Sequence, residues 1–118
     1  MNTKALSLLI GLLVVPDLTQ ACDAPEAPEV PAGSGSTLEE MIDAQNAIKT
    51  FQAANADYLT CVDQLMEAEK MLIDDGDENA QERWALAAAD YNAAVTREEQ
   101  VADGFNTAIR AYKAANPK

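Results

Sequence analysis

Leu72-Ile73-Asp74-Asp75-Gly76-Asp77-Glu78-Asn79 is the stretch on which the fold turns. On both sides of it lies chain that favours helix: from Thr37 to Asn116 there is no proline, and the only glycines are Gly76 and Gly104. The acids around Gly76 stop an apolar stripe that runs up to Ile73. Glycine suits the left-handed position just past a helix end, and Asp77 can cap the helix that follows. The stretch therefore reads as the joint of a helical hairpin.

Upstream, Met41, Ile48 and Val62 recur at heptad spacing, as do Ala44, Phe51, Tyr58, Leu65 and Leu72. Leu59, Met66 and Ile73 widen that stripe into one apolar helix face. Ser36 with Glu39 has the pattern of a capping box opening the helix. Downstream, Trp84, Tyr91, Phe105 and Tyr112 sit on one heptad row that only Glu98 interrupts. Ala87, Ala94, Val101 and Ala108 lie three residues further on, and Ala88, Val95, Ala102 and Ile109 four. The aromatic row reads as core, packed close against small residues, and Gly104 as a point of close packing or a bend. The expected fold is all-α: a long antiparallel αα-hairpin, coiled-coil-like, with helices over about 37–73 and 78–115 in a domain spanning 37–118. A three- or four-helix bundle, broken near Asn55 and Gly104, is the rival architecture.

A hairpin centred on Gly76 pairs residues whose numbers sum to about 152. Lys49 then meets Asp103, Lys70 meets Glu82, Glu69 meets Arg83 and Lys113 meets Glu39. Arg97 falls opposite Asn55, which interrupts one apolar row near the place where Glu98 interrupts the other. Exposed pairs of this kind contribute about 0–1 kcal/mol each, so they set register more than stability.

The N-terminus has the layout of an export signal over residues 1–21. Lys4 is its basic end, Leu6 to Val15 its apolar run, Pro16 its breaker, and Thr19-Gln20-Ala21 its small-residue cleavage site. The run is too short for a membrane span, which takes roughly 20 apolar residues. The expectation is a periplasmic or secreted chain beginning at Cys22, with no transmembrane segment after cleavage. Lipid anchoring through Cys22 is the alternative, although Thr19 and Gln20 depart from the usual lipoprotein signal.

Residues 22–36 form a proline-rich strap. Cys22, Pro25, Pro28 and Pro31 recur every third residue, the period of a polyproline II helix, so they share one face. With only two cysteines and an oxidising destination, Cys22 and Cys61 are expected to form one disulfide within the chain. The geometry allows it. Cys61 lies about 36 Å along a helix starting near Thr37, and the strap reaches about 43 Å when extended. The strap can fold back along the helix.

The matching residues Cys22, Pro25, Pro28, Val30 and Pro31 spell C-x-x-P-x-x-P-x-V-P. Followed by Glu39, Glu40, Met41 and then Tyr58, Leu59 and Cys61 in an Ala/Gln-rich helix, they resemble small uncharacterised exported bacterial proteins. The resemblance covers about the first half of the exported chain and brings no catalytic residues with it.

Composition sets the functional limits. The 118 residues carry 8 basic and 20 acidic groups, a net charge of −12, and no histidine. Eight scattered cations do not make a phosphate-binding surface, so nucleic acid is excluded as a partner. Without histidine, a glycine-rich phosphate loop or a nucleophile motif, no enzyme, metal site or cofactor is expected. An EF-hand at the Asp cluster is rejected, because its template would put ligands at Met71 and Ile73. Hydrophobic residues make up 48% of the chain, but 23 of them are alanine, so the core is smaller than that figure suggests. The expected role is an acidic helical interaction protein of the bacterial envelope, binding a basic or amphipathic protein or peptide as an inhibitor, adaptor or chaperone would. The alternative is a structural spacer or homo-oligomer without a specific ligand.

Overall fold

The computed structural model describes residues 22–118. They form two helices, α1 (Leu38–Asp74) and α2 (Ala80–Ala115), packed against each other as an antiparallel hairpin with a strap along one side. Neither helix breaks at Asn55 or Gly104, so the bundle alternative is not what forms. At 1.5 Å per residue each helix is about 55 Å long. The expected leader over residues 1–21 lies outside the described residues.

The capping box sits one residue later than the spacing suggests. Thr37 Oγ1 accepts from Glu40 N at 3.1 Å, and Thr37 N donates to Glu40 Oε2 at 2.9 Å. Ser36 is used otherwise: its Oγ accepts from Gly33 N and its N–H donates to Gly33 O, closing the turn that reverses the strap into α1. At the loop, Gly76 N donates to Ile73 O and Asp77 N to Leu72 O, with Gly76 at φ +92°. Those two bonds are the Schellman pattern, and they satisfy carbonyls that the end of α1 would otherwise strand. Asp77 then stabilises the entry to α2: its Oδ1 accepts from Asn79 N at 2.9 Å and its carbonyl accepts from Ala80 N.

The seam between the helices is a row of small residues. The buried positions of α2 are Ala80, Ala87, Ala94, Val101 and Ala108, one per heptad. Facing them, α1 buries Met41, Ala44, Ile48, Phe51, Asn55, Val62 and Glu69. Trp84, Tyr91, Phe105 and Tyr112, expected as core, are only half-buried and flank the seam. The reason is distance. Helices in contact through Cβ-only residues approach too closely to admit an indole or phenol ring between them.

Alanines bury little, about 0.8 kcal/mol per methyl-sized group, so the larger core comes from three segments meeting. Ile48, Phe51 and Val101 cluster, and Ala27 and Val30 of the strap pack on them together with Phe105. The strap shows threefold periodicity in its exposure. Cys22, Pro25, Pro28 and Pro31 turn inward, helped by Ala27, Val30 and Gly33, while Asp23, Glu26, Glu29 and Ala32 all face solvent. The Val30 methyls lie 3.8–3.9 Å from where a Gly104 Cβ would stand. Gly104 therefore lies beneath the strap, where a Cβ would make ordinary contact with Val30, and α2 runs through it without a break. Gly33, at φ +85°, comes closer still: a Cβ there would lie 2.8 Å from the Ala108 carbonyl carbon. Only glycine fits both that conformation and that approach.

Candidate functional site

At the loop end, one arginine ties the turn to both helices. Arg83 sits in the first turn of α2 and its Nε lies 3.0 Å from both carboxylate oxygens of Glu69, a nearly buried residue of α1. One of its terminal nitrogens reaches Asp77 Oδ2 at 3.0 Å. The hydrogen bond from Arg83, and after it the one from Asn79 N–H, holds the Asp77 carboxyl below its ordinary value of 3.8. Its two acid partners hold the Arg83 guanidinium well above its own ordinary value, so it stays charged at every relevant pH. A carboxyl lowered on folding adds stability above its unfolded pKa and loses it as pH falls through the folded one. Support for the turn is thus complete above pH 3.8 and is lost on further acidification. Carboxyl-detected NMR titration should place the Asp77 midpoint below 3.8, and Arg83→Gln should bring it back toward that value.

Mid-seam, Asn55 is fully buried. Its Nδ2 donates to Ala94 O at 3.3 Å and, at 3.5 Å, to Glu98 Oε2. The two interruptions in the apolar rows therefore meet each other. Asn55 Oδ1 and one terminal nitrogen of Arg97 are buried without a protein partner. A buried amide that can bond at only one alignment fixes register, as in coiled coils.

Cys22 and Cys61 are bridged, with Cα atoms 5.8 Å apart and a sequence separation of 39. The bridge anchors the far end of the strap, and it leaves the Cys22 sulfur no valence for a lipid thioether. Of the register pairs, Glu69 and Arg83 form an ion pair. Among the described residues the only other ion pair within 4 Å is Arg83 with Asp77; Lys49 with Asp103, Lys70 with Glu82 and Lys113 with Glu39 do not come that close. Lys49 instead lines a groove beside Ala102, Phe105 and Asn106, a groove that Asp103 does not line. Residues at matching heights on two helices pair only when both point toward the seam, and Lys70 and Glu82 are both exposed.

The surface divides into two halves. Between Asp57 and Glu99 there are twelve acids and three bases, a net −9 clustered on the loop half. From Ala44 to Ala56 and from Gly104 to Lys118 there is no acid at all. The side of the seam opposite the strap opens there into a depression of about 660 Å³, lined by Leu38, Met41, Ile42, Phe105, Ile109 and Tyr112, with Lys113 and Lys118 at its edge. Periodicity missed this groove, because Ile42 lies off the apolar rows and Leu38 continues the Leu59 row only across Gln45 and Gln52. The absence of acids in those two stretches is the signal that could have found it. Among the described residues, no group of three or more His, Cys, Asp or Glu is placed to hold a metal ion. No described helix is long and apolar enough to cross a membrane.

Comparison with known protein families, characterised proteins and solved structures returns no match.

Proposed function

We propose that the protein is an exported interaction module whose acidic loop half captures a basic or amphipathic protein or peptide. The observation that carries this reading is the segregation of charge: a net −9 between Asp57 and Glu99, held on a rigid double helix. A fixed field of one sign attracts cationic partners and speeds their association by about tenfold or more. The internal disulfide fits an oxidising compartment. The bacterial-envelope setting, periplasmic or secreted, rests on the leader and on the resemblance of the strap. No catalytic group enters this reading, and the protein is proposed to act by binding alone.

The test uses the purified protein and a synthetic Lys-rich amphipathic peptide, with association followed by stopped-flow fluorescence of Trp84. The on-rate should fall steeply as the Debye length shrinks from about 30 Å at 0.01 M salt to 10 Å at 0.1 M. Neutralising Asp74, Asp75, Glu78 and Glu82 to their amides should lower it by about tenfold or more at low salt. An on-rate indifferent to both salt and these substitutions would leave the spacer reading as the better account.

A further inference from the structure

Both ends of the hairpin expose apolar side chains, for different reasons. The strap fills one side of the seam only as far as Cys61, where the disulfide stops it. Leu65 and Leu72 continue the heptad row of Ala44, which lies under the strap, and they emerge 40% exposed beyond its end. Leu86 stands eighteen residues, five full turns, from Gly104 and so on the same side, 62% exposed. Met71 beside them is exposed as well. Asp75 and Asp90, each fourteen residues from Cys61 and Gly104 respectively, flank this patch with carboxylates. The loop end is thus an apolar patch bordered by acid.

The open end is its complement. Leu38 and Ile42 are exposed over the groove, Ile109 and Tyr112 form its other wall, and Lys113 and Lys118 border it. A second depression of about 270 Å³ continues it, sharing Gln45, Phe105 and Ile109 and adding Lys49. No Asp or Glu side chain lines either depression. Outside the strap this half carries four acids, Glu39, Glu40, Asp43 and Asp103, against Lys49, Arg110, Lys113 and Lys118. The strap's Asp23, Glu26 and Glu29, on the other side of the seam, bring the half to −3 against −9 for the loop half.

We infer that the protein self-associates head to tail, the apolar, acid-bordered loop end of one copy docking into the lysine-bordered groove at the open end of the next. Electrostatics selects this pairing from the three available. Groove on groove sets lysines against lysines, and loop end on loop end sets −9 against −9. Only the unlike ends bring apolar surfaces together with opposite charges around them. Such a contact is heterologous: each copy keeps one free end, so it propagates as an open chain and does not close as a twofold dimer. The contact involves one end of each rod, which puts it among small interfaces, below about 1,200 Å², and makes association concentration-dependent. The inference shares with the proposed function the use of the loop half as a binding surface, and adds the groove.

Sedimentation velocity across a concentration series, on the disulfide-bonded protein, provides the test. The protein should give a ladder of species that shortens with added salt. Leu86→Glu, on the loop end, and Ile42→Glu, in the groove, should each be monomeric; both positions are exposed, and circular dichroism verifies the fold. An equimolar mixture of the two variants should form dimers and nothing larger, because one intact loop end meets one intact groove. A monomeric parent, a ladder surviving in either variant, a parent that stops at dimer, or a mixture that stays monomeric would each overturn the inference. Ile42→Glu lies outside the acidic half and should still bind the Lys-rich peptide. If the parent does not self-associate while Ile42→Glu binds the peptide, this inference fails alone; if the ladder forms but no copy binds the peptide, the proposed function fails alone.

Discussion

Cys61→Ser should lower the stability of the fold by about 2–5 kcal/mol, the range for loss of a native bridge from a small exported domain. The closed loop spans 39 residues, for which chain entropy alone gives about 4 kcal/mol. Small domains have only about 5–15 kcal/mol in total, so this is a large fraction. The structure says where the loss falls. Without its anchor, the strap must hold by Ala27 and Val30 on the Ile48–Phe51–Val101 cluster and by Gly33 against Ala108. Those contacts are few, and all lie on the open-end side of Cys61. Urea denaturation followed by far-ultraviolet circular dichroism should show a midpoint well below that of the parent. The slope should rise, because the unfolded chain, no longer cross-linked, exposes more surface. An unchanged midpoint would mean that the strap adds nothing to the hairpin.

The strap was legible because its arithmetic is one-dimensional: a three-residue period and a known rise per residue on each side of a turn locate Cys61. The loop was legible for the same reason, since Gly76 takes the left-handed conformation that its acidic surroundings suggested. The meeting of Asn55 with Glu98 could also be read, as two polar residues interrupting two apolar rows at matching heights. What could not be read was which row faces the partner helix. Tyr91 and Ala94 both recur by sevens, and a heptad count does not say which of two adjacent rows lies nearer the axis between helices. Size decides that in three dimensions: the row that permits the closer approach is taken, and the rings are displaced to its edge. The groove beneath Leu38 and Ile42 was hidden for another reason. It is made by the ends of both helices together: the rows of Phe105, Ile109 and Tyr112 read as buried in α2, but Ile42 of α1 lies off every apolar row.

The alanine seam makes the other large effect. Ala94 has no exposed surface, and its carbonyl accepts the Asn55 amide. Ala94→Leu adds three carbons where two helices are already in contact, and over-packing of that kind costs about 1–3 kcal/mol. Pushing the backbones apart also stretches the Asn55 bond, leaving a buried amide unpaired at a further cost of about 1–3 kcal/mol. Together the loss should be roughly 3 kcal/mol or more. Ala93→Leu supplies the control, one residue away on an exposed face; its effect should stay within about 0.5 kcal/mol of zero. Tyr91→Leu, on the half-exposed aromatic row, should fall between them. Urea midpoints of the three variants measured side by side establish the order. If Tyr91→Leu were the most damaging and Ala94→Leu were tolerated, the rings would be the core and the alanines the periphery, and the helices would have to lie further apart. That wider spacing would remove the platform formed by Gly104 and Ala108, on which Val30 and Gly33 of the strap depend. The order of these three midpoints therefore tests the seam and the seating of the strap together.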